Sequence, residues 1–309
     1  SVAPVLLFVL AIGCVQWSFT EAKYELFDSP ERLAIVILIG VLLLGLFGIH
    51  QWKHDEPLLH LRDLTHPGFL VGIALYALYY FIVNFSNYLF PQFAEQGLRI
   101  PLITTGWLNS FAALTSLVVA IGYIKFAAKI SNKRALMMAG CIAMAGACFW
   151  LSLVPPDAPY TALYGALIIK GFFGVLMVLP VAALTFRALG DNLFAKGYQS
   201  KNIMRQMMAS FASAVAAVAL QDSKFVQYTE LIGRVTPSNA GANTWLATMQ
   251  SHFEQLGYSA AEAHGAALAE MSAVVNHQAL FMACQSLYHW LAVIAAVAAV
   301  VVMLQRHLR

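Results

Sequence analysis

Two ionisable side chains stand in the middle of long apolar runs: Lys170, within Ile168-Ile169-Lys170-Gly171-Phe172-Phe173-Gly174, and His289, between Tyr288 and Trp290. A charge is costly in hydrocarbon, so each is expected to face water, a partner or a substrate. Lys170 reads as a cavity charge that meets substrate or a carboxylate from elsewhere; its plainer reading is a lysine tied to backbone carbonyls. His289 is the proton-linked candidate, because histidine is the side chain that changes charge near neutrality; its plainer reading is an interhelical hydrogen bond. No Asp or Glu falls inside an apolar run. A proton-coupled transporter uses an embedded carboxylate, so this stretch is not expected to couple protons by itself.

Tyr76, Tyr80, Asn84 and Asn87 are spaced by four, four and three, with Tyr79 and Ser86 beside them. That spacing puts the four on one helix face. Asparagines facing lipid would be unsatisfied, so the stripe is expected to face the bundle interior. There it would contact an amphipathic ligand by stacking and hydrogen bonding, or serve as helix–helix glue. Trp107, Asn109 and Ser110 are further substrate-contact candidates. Gly171, Gly174 and Pro180 permit close approach or bending of their helix. Ala139, Ala143 and Ala147, and Ala209, Ser213 and Ala217, have the four-residue spacing of tight helix contacts.

Enzyme chemistry finds no purchase. His50, His54, His60 and His66 crowd one connection, but the further His clusters of membrane di-iron enzymes do not occur. There is no GxSxG, HExxH, P-loop or paired-carboxylate motif. Cys14, Cys141, Cys148 and Cys284 lie in apolar runs without a CxxC pair and read as reduced packing residues. No metal and no cofactor is expected.

The elements that must position these residues follow from composition. The 309 residues are 60% hydrophobic and 11% charged, with mean hydropathy +0.71, against about 25% charged residues in soluble domains. Most side chains therefore have lipid as solvent, and the fold class is an all-α polytopic membrane protein. The net charge of +3, with scattered basic residues, argues against nucleic acid as a partner. Charge-free runs long enough to cross about 30 Å of hydrocarbon give eight expected spans, at 3–19, 32–52, 67–92, 103–125, 135–154, 160–186, 203–221 and 279–304.

Alternate connections carry twelve and five Lys/Arg, the twelve including Lys201, Arg205, Arg306 and Arg309. The excess marks the cytoplasmic side, and so places the C-terminus there. Residues 222–278 form a long outer connection, too long for a turn. A helix over 242–256 stopping at Gly257, and capping-box spacing at Ser259-Ala260-Ala261-Glu262, predict two short amphipathic helices over the outer mouth, or else a solvated cap. The chain opens at Ser1 inside an apolar run and is expected to be a fragment.

Several stretches in order resemble the 14-helix drug:proton antiporters of the major facilitator superfamily, the EmrB/QacA type. They are Phe27-Asp28-Ser29-Pro30 between two spans, Pro57-Leu58-Leu59-His60-Leu61-Arg62 ahead of the Tyr76–Asn87 helix, Lys170-Gly171-x-x-Gly174, Asn202-Ile203-Met204-Arg205-Gln206, and the long outer connection. The family's cytoplasmic loop motif is reduced to a basic segment from Gly122 to Arg134 that lacks its acid. The resemblance implies a central linker pair at 1–56 and a C-terminal six-helix transporter half at 57–309, with an absent N-terminal six-helix half carrying the coupling carboxylate. It implies export of an amphipathic small molecule in exchange for protons, as in multidrug efflux, by alternating access in the inner membrane. Partners would be that missing half, the lipid bilayer and, in a Gram-negative source, a periplasmic adaptor and an outer-membrane channel. Arg205 would supply an interfacial ion pair or carbonyl anchor. A siderophore or metabolite exporter, and a non-transporting membrane scaffold, are the alternatives.

Overall fold

The computed structural model describes residues 2–187 and 189–308. Arg309, one of the twelve basic residues counted above, lies outside them, as do Ser1 and Ala188. The described residues form helices and connections, with no strand. Eight helices are long and apolar enough to cross a membrane. They are α1 (Ala3–Asp28), α2 (Pro30–Lys53), α3 (Pro67–Pro91), α4 (Leu102–Phe126), α5 (Lys133–Ser152), α6 (Tyr164–Arg187), α7 (Asp191–Gly233) and, after the short α8 (Ala240–Gln255), α9 (Ala260–Leu304). The all-α, eight-span architecture read from composition is therefore the one observed.

Local chemistry sets several helix boundaries. Pro30 and Pro67 open α2 and α3, where a missing N–H costs nothing. The His66 ring accepts from Gly68 N, Asn132 caps Ala135 N, and Asn239 caps Ala242 N. Gly257, at φ +101°, turns the chain after α8, and Ser259 and Glu262 close a reciprocal capping box at the start of α9.

Packing divides the chain. α6 touches α3, α4 and α5; α9 lies against α5 and α7; α7 also meets α3 and α1. α2 packs on α1, where a side chain at Gly40 would strike Val15. α1 reaches the bundle through Phe19 against Phe211 of α7, ring centroids 5.4 Å apart. The core between the helices is aromatic and sulfur-rich, with Tyr76, Phe93, Phe173, Phe281, Tyr288, Met137, Met144 and Cys141 buried. Ile35 and Leu38 of α2 and Val118 and Ile124 of α4 are more than half exposed. Such a surface suits lipid and would aggregate in water.

Three differences from the sequence reading stand out. First, charge does not end these helices. α1 continues through Glu21, Lys23 and Glu25 to Asp28, and α7 begins twelve residues before its expected start. Charge marks the bilayer surface, and a helix satisfies its own backbone on either side of that surface. Second, the outer connection does not hold two separate short helices. At 1.5 Å per residue α7 and α9 are each about 65 Å long, roughly twice the hydrocarbon thickness. The capping box therefore opens α9 itself, and only α8 is a separate short helix. Tyr228 and Ser272 hydroxyls meet at 3.2 Å between the extensions of α7 and α9, and Gln250 of α8 meets His264 of α9 at 3.3 Å.

Third, the small-residue rows are buried only in part, at Ala147 and Ala217. Ala139 is exposed, and the buried face of α5 runs instead through Met137, Gly140, Cys141, Met144, Ala147, Cys148 and Leu151. Ala209, Ser213 and Ala217 line a shallow space of about 350 Å3 with Phe19, Thr20, Lys23 and Tyr88. Small side chains allow close approach without compelling it.

Candidate functional site

α3, α4 and α6 enclose a groove of about 410 Å3. From α3 it takes Tyr79, Val83, Asn87 and Phe90, from α4 Asn109, Ala112, Ala113 and Ser116, and from α6 Lys170, Gly171, Phe173 and Gly174. The α4–α6 wall depends on Gly171: a Cβ there would lie 2.8 Å from Thr115 Cγ2, and Ser116 Oγ donates to the Gly171 carbonyl at 3.3 Å. Opposite, the Tyr79 ring packs on Phe173 at 5.1 Å. A Cβ at Gly174 would have Tyr79 Oη as its nearest neighbour, at 3.6 Å.

Lys170 is half-buried, with Nζ 5.8 Å from the centre of the Phe90 ring. Among the described residues it has no ion pair and no side-chain hydrogen bond; the one ion pair found joins Arg234 to Glu230 in the α7 extension. The exposed amides of Asn87 and Asn109 are likewise unengaged within the described chain. The groove thus combines one cation, two free amides and an aromatic wall.

The proposed stripe on α3 divides between two surroundings. Asn87 lines the groove. Tyr76 is 2% exposed, stacked on Tyr80 at 5.8 Å and near Phe186 at 6.5 Å, between α3, α6 and α7. The half-buried Asn84 turns its amide back to the Tyr80 carbonyl at 2.7 Å. Tyr79, Val83, Asn87 and Phe90 repeat the same four, four and three spacing but are centred about 60° around the helix from the stripe, and that sector faces α4 and α6. Tyr79, only a neighbour in the sequence pattern, is therefore the tyrosine that the groove contains.

Other expected residues are dispersed. Trp107 is 72% exposed and, two residues from Asn109, about 200° around α4 and outside the groove lining. His289 is exposed beside the exposed Trp290 and makes no side-chain hydrogen bond among the described residues. Pro180 is buried inside α6, and Arg205 is exposed on α7.

A second cation escaped the sequence reading. Lys201, counted there among connection charges, is 8% exposed within α7, its Nζ 4.3 Å from the Tyr198 ring centre and 5.4 Å from that of Tyr76. Tyr198, Lys201 and Arg205 are spaced by three and four, one helical face, and that spacing was the available signal.

No family model matches the chain. Its similarity to individual proteins is low but extended. It is 21% identical to a probable multidrug resistance protein, EmrY, of Escherichia coli, over 81% of this chain and 49% of that protein. It is 19% identical to YhcA of Bacillus subtilis, an uncharacterized MFS-type transporter, over 76% of this chain and 44% of the relative. It is 24% identical to the lincomycin resistance protein LmrB of Listeria monocytogenes, over 78% and 51% respectively. The chain spans about half the length of these relatives. The chain is thus similar, at 19–24% identity, to proteins described as multidrug or lincomycin resistance proteins and as an MFS-type transporter.

Proposed function

We propose that the chain is the C-terminal portion of an exporter of the 14-helix drug:proton antiporter type, which moves amphipathic compounds by alternating access. In this reading α1 and α2 are the central linker pair and residues 57–309 the second transporter half. The C-terminus is cytoplasmic and the membrane is the inner membrane. The remaining half supplies the proton-coupling carboxylate, and the site forms between the halves near the middle of the bilayer.

The observation that carries the reading is the groove of Tyr79, Asn87, Asn109 and Lys170. Its polar groups have no partners in the described chain and are open to water, so they are available to a ligand or to the other half. The half-length match to the relatives, and their names, support it further.

The test uses the full-length protein in cells lacking other exporters. Asn87→Ala and Asn109→Ala are expected to change the relative efflux of a panel of amphipathic dyes by about tenfold, at unchanged protein level. Unchanged efflux of every dye by both variants would remove the groove from the transport path. Absence of any substrate-dependent proton flux from the reconstituted parent would favour the scaffold alternative.

A further inference from the structure

We propose that the groove selects amphipathic organic acids, with Lys170 as receptor for the acid group and the aromatic wall as receptor for a flat apolar body. The inference rests on the exporter reading and adds the substrate class to it.

Charge balance is the first argument. Lys170 holds an ammonium inside a membrane-length helix, and no carboxylate among the described residues pairs with it. Glu95 is the acid closest in sequence to the groove lining of α3, and it makes no ion pair. An ammonium in such surroundings is stabilised by an anion brought to it. The groove therefore disfavours a cationic ligand and favours an anionic one.

The donor set is the second argument. Lys170 offers three N–H groups, and the free amides of Asn87 and Asn109 offer two each. Ser116 already donates to the Gly171 carbonyl, so its hydroxyl presents lone pairs rather than a further donor. Seven N–H donors around one cation match a group rich in acceptor oxygens, such as a carboxylate. The same groove is lined by Tyr79, Phe173 and Phe90, the last beside Lys170, and their rings favour a planar partner. The volume of about 410 Å3 falls in the range that holds a drug-sized molecule.

A carboxylate could reach Lys170 from the substrate or from the other half of the protein, and the experiment separates the two. Full-length protein in proteoliposomes is given 4-(1-pyrenyl)butyrate, its uncharged primary amide, or the lipophilic cation rhodamine 6G. Binding to the detergent-purified protein is followed in parallel by pyrene fluorescence. The wild type is expected to bind and move the acid about tenfold better than the amide. Lys170→Met should lose about tenfold for the acid while the amide changes less than about twofold, and Lys170→Arg should keep most of the acid transport.

Equal losses for acid and amide in Lys170→Met would assign Lys170 to a carboxylate of the other half and overturn the proposal. Transport of rhodamine 6G or the amide in preference to the acid by the wild type would also overturn it, leaving the exporter reading intact. Movement of none of the three probes, with no binding of the acid, would overturn both.

Discussion

Gly72 sets how closely α3 approaches α6. A Cβ built at Gly72 overlaps the Thr185 side chain, which is fully buried and whose Oγ1 has no hydrogen-bond partner. Gly72→Ala gains about 0.5–1 kcal/mol of helix propensity and meets an overpacking cost of about 1–3 kcal/mol. The net expectation is a loss of about 0–2.5 kcal/mol. Gly106 in α4 has open space around its Cβ position, so Gly106→Ala isolates the propensity gain.

Thr185→Ala removes the two nearest obstructing atoms, Oγ1 and Cγ2, and with them the unsatisfied hydroxyl, leaving only Cβ, so Gly72→Ala should cost less in its presence, with a coupling of about 1 kcal/mol. Unfolding of the purified full-length protein in micelles by added SDS reads all four variants. Additive effects of Gly72→Ala and Thr185→Ala, or equal responses at Gly72 and Gly106, would refute the close crossing of α3 and α6.

Two further outcomes follow from charged residues. Lys201 is desolvated and lacks a counter-ion in the described chain, so Lys201→Met should leave stability unchanged or raise it, because desolvation offsets the contacts to Tyr76 and Tyr198. A loss above about 1 kcal/mol in the same SDS titration would show that an unseen anion binds there. In the part of α9 beyond the bilayer, the Ser259 backbone N–H, and then its hydroxyl, donate to the Glu262 carboxylate and hold it below the usual carboxylate range. A carboxylate lowered in the folded state contributes above its unfolded titration range and is lost as pH falls through its folded one. Hydrogen-exchange protection at residues 260–263, corrected for intrinsic rates, should therefore fall in acid in the parent and be already low at neutral pH in Ser259→Ala. Equal protection in the two proteins at neutral pH would contradict that role for the capping box.

The spans were legible because hydrocarbon demands apolar length, and eight runs supplied it. Their ends were not: past the bilayer surface nothing in α7 or α9 halts the helix, so the charges of 191–202 and 260–278 read as connection. Asn87, Asn109 and Lys170 were legible as polar groups in apolar surroundings, and the structure brings them to one groove. The choice of Tyr79 over Tyr76 was hidden, since it depends on the rotation of α3 set by Gly72 against Thr185, a contact about 110 residues apart in the chain. Lys201 was hidden by its own charge, which made a buried residue look like a surface one.

The unbroken length of α9 has a mechanical consequence. With residues 260–278 ahead of its expected span, α9 is a rod anchored in the bundle and reaching about 30 Å beyond it, which acts as a lever. A tilt of about 10° in the bundle would sweep its far end through about 5 Å, carrying α8 with it. Distances measured from a probe on α8 to a fixed point on the bundle would thus report, enlarged, small rotations of α9.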